Sequence, residues 1–229
     1  MNGILYGVGV GPGDPEYMTL KAVRLIRENE VIAVPGSVAE ETVAYQIAVQ
    51  AVPELSGKTL VPVVMPMTHD REEMNRNHDL AADTVESYLK QGQNVVFLTL
   101  GDPTIYSTYL YVQKRVQAHG YQTELVSGIT SFCAAAARAN VSLVEWSEQL
   151  HVLPAVHRLE SELDLPGNYV LMKSGRKMNQ VKEMLRKSGR DVVMVENCGM
   201  ETEQIYHGVD EIPDDAGYYS LIIAKEAEK

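Results

Sequence analysis

The stretch Ile4 to Pro15, ILYGVGVGPGDP, decides the fold. Its first half is an apolar run of strand length, its second half a glycine- and proline-rich turn. From Leu20 to Arg27 the apolar residues recur with a helical period, and Thr19 stands where an N-cap belongs. Strand, glycine turn and helix in that order open an α/β domain. The rest of the chain repeats the theme. Further strand-like runs are VIAV, TLVPVVM, NVVFLTLG, TELVSG, LHVLPAV, NYVLMKSG, DVVMVEN and YSLIIAK. Helical periods fall at Glu41 to Val52, Asp79 to Gln91, Tyr106 to His119, Ser131 to Asn140 and Gln180 to Lys187. The expected architecture is two α/β domains, each with a central mixed sheet flanked by helices. The turn HGYQT predicts the boundary, giving domains 1–119 and 120–229.

With 229 residues, 45% of them hydrophobic, the chain can bury a large core without disulfides or metal. Cys133 and Cys198 form no CxxC pair and have no histidines at zinc spacing, so both read as buried, reduced thiols. No protein-bound metal is expected. No apolar run approaches the roughly 20 residues that span a bilayer, and MNGILYGVGVG lacks the marks of a signal peptide, so the expectation is a cytoplasmic protein away from membranes. A net charge of −11 without a basic stripe argues against nucleic acid. The charged run THDREEMNRNHD reads as a solvated face.

Three strand-to-helix junctions carry the candidate chemistry. In the first, counting G-x-G-x-x-G from Gly7 puts Pro12 in the last place, and counting from Gly9 puts Asp14 there. The second strand ends in Pro35-Gly36 without an acid for a ribose hydroxyl, so a dinucleotide fingerprint fails. A tight turn needing glycine for its backbone angles is the plainer alternative. The second junction, LTLGDPTIY, puts Asp102 at a strand's carboxyl end, as a site residue or as a turn former before a helix starting at Tyr106. The third, SGITSF, precedes the small-residue run CAAAA, and Thr130 or Ser131 could cap that helix or meet a ligand.

Taken in order and spacing, VGVGPGDPEYMTLKA, GDPTIY and SGITSF, followed by YVLMKSG and VENCGMETEQ, resemble the tetrapyrrole methylases, or class III methyltransferases. The resemblance covers nearly the whole chain. Within the family, AVPGS, TLVPVVMPMTHD, LTLGDPTIYSTYLYVQ and SGITSFCAAAARANVSL resemble the precorrin-2 C-20 methyltransferase branch. The uroporphyrinogen-III methyltransferase branch is the alternative. It typically has an aspartate where this chain has Pro35 and a double glycine where this chain has Leu100-Gly101.

The resemblance implies S-adenosylmethionine as methyl donor, folded in a cleft between two domains, and a precorrin-2 or cobalt-factor II tetrapyrrole as substrate. It also implies a homodimer. By motif position, Pro12, Leu100, Gly101, Asp102, Ile105, Thr130, Ser131, Met172, Cys198, Gly199 and Met200 would bind the donor. Asp102 is the expected base for the C-20 proton, and an asparagine there is expected to preserve shape, hydrogen bonding and cofactor affinity while slowing transfer. Lys173 and Tyr219 are further catalytic candidates, with Tyr218 beside the latter. So acidic a chain needs local cations for a polycarboxylate substrate, and His69, Arg71, Arg76, Arg176 and Lys177 are the candidates. The rivals are a nicotinamide oxidoreductase and a non-catalytic sensor of the same ligands.

Overall fold

A computed structural model describes residues 1–66, 68, 70–154 and 165–227. The chain divides into two compact units, Met1–Thr130 and Ser131–Lys229.

In the first domain every strand but the last is followed by one long helix. The order is β1 (Ile4–Gly9), α1 (Leu20–Glu28), β2 (Val31–Pro35), α2 (Val43–Ala51), β3 (Thr59–Val63), α3 (Arg71–Leu89), β4 (Val95–Thr99), α4 (Tyr109–Ala118) and β5 (Gln122–Val126). The strands lie in the order β3-β2-β4-β1-β5, and every pair is parallel. The expectation of a mixed sheet here is therefore corrected: each helical crossover returns the chain to the same end of the sheet. Side-chain alternation sorts the core into two layers. Val8, Ile32, Val34, Val96 and Leu98 pack with α1 and α2, whereas Leu5, Val31, Ala33, Val95 and Phe97 pack with α3 and α4. At roughly 1.5–3 kcal/mol for each large aliphatic or aromatic side chain fully buried, these two layers are the main source of the domain's stability.

Two sequence boundaries shift for physical reasons. The observed division falls after Thr130 rather than at 119/120, because β5 pairs with β1 from Ile4↔Gln122 to Val8↔Val126 and belongs to the first sheet. Helix α3 starts at Arg71, not Asp79, because Asp70 caps it: its Oδ1 accepts from the N–H groups of Glu72 (2.8 Å) and Glu73 (3.1 Å). Of the charged run, Asp70 is thus the cap and Arg71, Glu72, Glu73, Asn75 and Arg76 form exposed first turns of α3, whose buried stripe begins at His78 and continues through Ala81, Ala82, Val85 and Leu89.

In the second domain α5 (Ser131–Arg138) precedes β6 (Leu150–Pro154), β7 (Asn168–Met172), α6 (Met178–Ser188), β8 (Asp191–Glu196), β9 (Gln204–His207) and β10 (Ser220–Lys225). Its sheet, ordered β6-β7-β10-β8-β9, is mixed as expected: β6 and β7 are parallel, and β10 runs against both β7 and β8. Strand β9 is an addition to the sequence reading. It has only four residues, half-buried or exposed, on the sheet's edge, too short to show an alternation. The end of the expected strand LHVLPAV lies outside the described residues.

Candidate active site

The three junctions singled out by sequence meet at one place in the first domain. Neighbouring strands β1 and β4 send their connections to opposite sides of the sheet, β1 toward β2 and β4 toward β5, which makes a topological switch point at their carboxyl ends. There the loops are stitched by backbone: Gly101 N–H donates to the Gly11 carbonyl (2.8 Å), Gly11 N–H to the Gly101 carbonyl (3.3 Å), and Val10 N–H to the Thr99 carbonyl (3.0 Å). Glycine makes this approach possible. A Cβ on Gly9 would lie 2.4 Å from the Gly101 oxygen and 2.7 Å from the Gly128 nitrogen, closer than any side chain tolerates.

Asp102 ties the second loop to the third. Its buried carboxylate accepts at Oδ1 from Thr104 N–H (2.8 Å) and Thr104 Oγ1–H (2.5 Å), and at Oδ2 from Gly128 N–H (3.0 Å). Both oxygens face donors, so an amide cannot take over the arrangement: its NH₂ would confront an N–H or O–H. The expectation that asparagine preserves the hydrogen bonding is thereby corrected. Asp14 has a separate local task, accepting from Glu16 N–H (2.9 Å) to cap a short 3-10 turn.

Around this knot sit the other candidates of the first domain. Pro12 is buried in the first loop, while Leu100 and Ile105 are half-buried in the second. Thr130 Oγ1 is buried and has no hydrogen-bond partner among the described residues, so it does not serve as the cap of α5. A buried hydroxyl without a partner costs about 1–3 kcal/mol, and a ligand is one way to satisfy it. Ser131 opens α5. The expected helix start at Tyr106 is corrected, since α4 begins at Tyr109 and Tyr106 adopts a left-handed φ of 49°.

The second domain assembles its own candidates along one sheet edge. Because β10 is antiparallel to both, β7 and β8 end at the same side, where β10 begins. Met172 closes β7 opposite Leu221, and Lys173, just beyond, has left the strand with φ 61°. Ser174 follows, wholly buried, its hydroxyl without a partner among the described residues. Cys198, Gly199 and Met200 follow β8 in a turn where Met200 N–H donates to the Asn197 carbonyl (2.9 Å) and Gly199 N–H to Glu203 Oε2 (2.6 Å). Arg138 grips both oxygens of that carboxylate. Burial alone would raise the Glu203 carboxyl, but the Arg138 guanidinium and the Gly199 N–H outweigh it and hold it below its ordinary value of 4.5. Tyr218 and Tyr219 precede β10 rather than open it, with ring centroids 5.3 Å apart. Burial first, and Tyr218 second, push the Tyr219 phenol up.

The charges at the two edges differ. The loops after the five strands of the first domain, 10–19, 36–42, 64–70, 100–108 and 127–130, contain no lysine or arginine, although they hold Asp14, Glu16, Glu40, Glu41, Asp70 and Asp102. Of the expected cations, His69 falls within these segments and the other four do not. Arg71 and Arg76 lie exposed on α3, Arg76 within 3.9 Å of Glu72. His69 lies outside the described residues, as does the Arg176 side chain. Lys173 and Lys177 follow β7 in the second domain. Cys133 is exposed, correcting its expected burial, because α5 turns Ala134, Ala135 and Ala136 inward; Cys198 is buried as expected. No helix of the described residues is long and apolar enough to cross a membrane.

A parallel sheet with a glycine-stitched switch point, joined to a mixed-sheet domain, matches a known family. Residues 4–211 fit the model of the tetrapyrrole (corrin/porphyrin) methylases, and the chain belongs to that family. It is 34% identical over 229 residues to the probable cobalt-precorrin-2 C(20)-methyltransferase of Methanocaldococcus jannaschii, covering 98% of this chain and 97% of the relative. It is 27% identical over 234 residues to the cobalt-precorrin-2 C(20)-methyltransferase of Salmonella typhimurium, covering 99% and 98%. Its fold is similar, at a TM-score of 0.72 and 22% identity, to uroporphyrin-III C-methyl transferase from Thermus thermophilus complexed with S-adenyl homocysteine, with 98% of each chain covered.

Proposed function

We propose that the protein transfers a methyl group from S-adenosylmethionine to C-20 of precorrin-2 or of cobalt-factor II, in the making of the corrin ring. The carrying observation is the likeness, over almost the full length of both chains, to relatives named for that reaction. The alternative branch, methylation of uroporphyrinogen III, is less favoured by Pro35 and Leu100 at the positions that set the branches apart. The reading includes a cytoplasmic homodimer and a donor held between the domains, both on the family resemblance.

The residues present suit the donor. Gly9 and Gly128 let the loop backbones close on the Gly101 carbonyl, and the hydroxyl of Thr130, two residues beyond Gly128, has no partner among the described residues. In this reading Pro12, Leu100, Gly101, Asp102, Ile105 and Thr130 hold the donor from the first domain. Ser131, Met172, Cys198, Gly199 and Met200 hold it from the second. When bound, S-adenosylmethionine supplies an already activated methyl, so the protein's main task is alignment, which is worth several kcal/mol of barrier. Asp102 contributes as a positioning residue by locking loops two and three. As base for the C-20 proton it would use the lone pair left on Oδ2, which accepts from Gly128 N–H alone among the donors named. Lys173 and Tyr219, at the second edge, are the proposed partners for substrate charge and for a hydrogen bond to the macrocycle.

The experiment is transfer from methyl-labelled S-adenosylmethionine to precorrin-2, with and without cobalt, beside calorimetry with S-adenosylhomocysteine and NAD. Label in the macrocycle and binding of S-adenosylhomocysteine support the reading. Donor binding without transfer to either substrate points to a sensor, and binding of NAD alone refutes the assignment.

A further inference from the structure

We propose that Arg138 and Glu203 are positioning residues for the methyl donor: their ion pair fixes the turn Cys198–Met200 to the far end of α5, the helix that Ser131 opens. The proposal rests on the donor reading above, in which Ser131 and the residues of that turn are donor contacts.

The geometry of the pair comes first. Arg138 Nε donates to both carboxylate oxygens of Glu203 (2.9 and 3.0 Å), and its Nη2 lies 2.8 Å from Oε1, while Oε2 also accepts from Gly199 N–H (2.6 Å). One carboxylate thus joins the end of a helix to the middle of a turn. The pair is also sheltered. The Glu203 side chain is 14% exposed, against 61% or more for the carboxylates of the domain's other described ion pairs, so water screens it less than it screens them.

The turn needs such a hold. Asn197 and Gly199 both take left-handed φ, 52° and 76°. Met200 N–H bonds the Asn197 carbonyl and Glu203 N–H the Met200 carbonyl (3.0 Å), which closes the turn on itself, and Asn197 N–H bonds the Tyr219 carbonyl (3.1 Å), which ties its start to the chain before β10. None of these three bonds holds the Gly199 N–H, which Glu203 takes instead. A trans peptide is planar, so pinning that N–H also settles the direction of the Cys198 carbonyl and of the chain on either side. At the other end of the pair, α5 is a firm support. Its eight residues span about 12 Å, Ala134, Ala135 and Ala136 are buried, and the helix packs against β10. Because α5 begins at Ser131 and ends at Arg138, one rigid element links both groups of donor contacts in this domain, and the ion pair sets the place of the second group relative to the first.

The test uses the full-length protein with Glu203→Gln, Arg138→Gln, Arg138→Lys and the double variant Glu203→Gln with Arg138→Gln. The control is Arg186→Gln, which removes the exposed pair to Asp210 elsewhere in the same domain. Thermal unfolding is measured on each, with calorimetric affinity for S-adenosylhomocysteine well below every melting temperature, and kcat and KM for S-adenosylmethionine at saturating precorrin-2. Each glutamine variant is expected to bind S-adenosylhomocysteine about tenfold more weakly, and the double variant within about twofold of the weaker single, because the two side chains act as one unit. Arg138→Lys keeps the charge but loses the fork and is expected to weaken binding about threefold. The KM for S-adenosylmethionine rises in step, while kcat stays within about threefold of wild type, since the pair touches no reacting atom. Arg186→Gln is expected to bind as wild type does. Wild-type affinity in both glutamine variants, whatever their melting temperatures, would make the pair a brace of the fold and overturn the proposal. So would a loss of about a hundredfold in the double variant, or a loss in Arg186→Gln as large as in the glutamine variants. Should a glutamine variant fail to fold, Arg138→Lys decides: weaker donor binding with a wild-type melting temperature supports the proposal, and unchanged binding overturns it. A wild type that binds no S-adenosylhomocysteine would overturn the proposal together with the donor reading on which it stands.

Discussion

The two candidate edges of this molecule are held in shape by opposite means. In the first domain the turns that leave a strand mostly use glycine where the backbone is left-handed or very close, with Gly11 at φ 77°, Gly101 at φ 68°, and Gly9 and Gly128 against the Gly101 carbonyl; Tyr106 at φ 49° is the exception. In the second domain the turns after β7 and β8 place Lys173 and Asn197 at φ 61° and 52°, beside Gly199 at φ 76°, and a buried Ser174 hydroxyl has no partner among the described residues. The first edge is a close-packed backbone knot with negative charge. The second tolerates strain and carries Lys173 and Lys177. Strain that persists at a site is retained for what the side chain does there. On this account the first edge supplies a rigid backbone surface, and the second supplies side chains.

The sharpest way to break the first half of that contrast is Gly9→Ala. Its methyl has no room against two backbone segments, and neither can withdraw without opening the Gly11–Gly101 pairing, so a loss of about 3 kcal/mol or more is expected. Denaturant unfolding checks it, and a variant as stable as wild type would show that the loops are not locked. Asp102→Asn comes next. It leaves a donor opposed by a donor in a buried place, at about 2 kcal/mol, and donor affinity is expected to fall with stability. Calorimetry with S-adenosylhomocysteine decides between roles: unchanged affinity with slow single-turnover transfer would make Asp102 a base alone.

At the second edge the effects are smaller. Because the Glu203 carboxyl is held below 4.5, its contribution to stability is present above that pH and is lost as pH falls through the lowered value. Glu203→Gln should therefore be less stable than wild type at pH 7 by about 1 kcal/mol, with the gap closing in acid; a pH-independent gap would mean that packing, not charge, holds the turn. Smallest, and of opposite sign, is Lys173→Gly. Relief of the left-handed backbone is expected to leave stability equal to wild type or about 0.5 kcal/mol higher, while transfer slows. Lower stability with normal transfer would reverse the roles given to the two edges.

The same contrast governs what could be read in the sequence. The first edge was legible because glycine and proline mark close backbone approach at fixed places, so GVGPGDP, LGDP and SGIT announced the three loops that meet. Their mutual stitching, and the hold of Asp102 on Gly128, depend on the parallel order β4-β1-β5, which no local pattern encodes. The all-parallel sheet was missed with it, and so was the membership of β5, whose run TELVSG looks the same in either domain. At the second edge strained non-glycine residues leave no signature. Met172, Cys198, Gly199 and Met200 were reached through resemblance, and their gathering at one side follows from β10 running between β7 and β8. Tyr106 was misread as a helix start because it follows the turn former Asp102-Pro103 and heads a helical period, whereas the anchors at Thr104 and Ser107 hold it in the loop.

The most direct measurement of the central claim is a single-turnover reaction of the protein with carbon-13 methyl S-adenosylmethionine and precorrin-2, and in parallel cobalt-factor II, read by NMR of the product. The account predicts one labelled methyl group per macrocycle, on C-20, from at least one of the two substrates. A labelled methyl on any other carbon, or none with donor bound and both substrates intact, would contradict it.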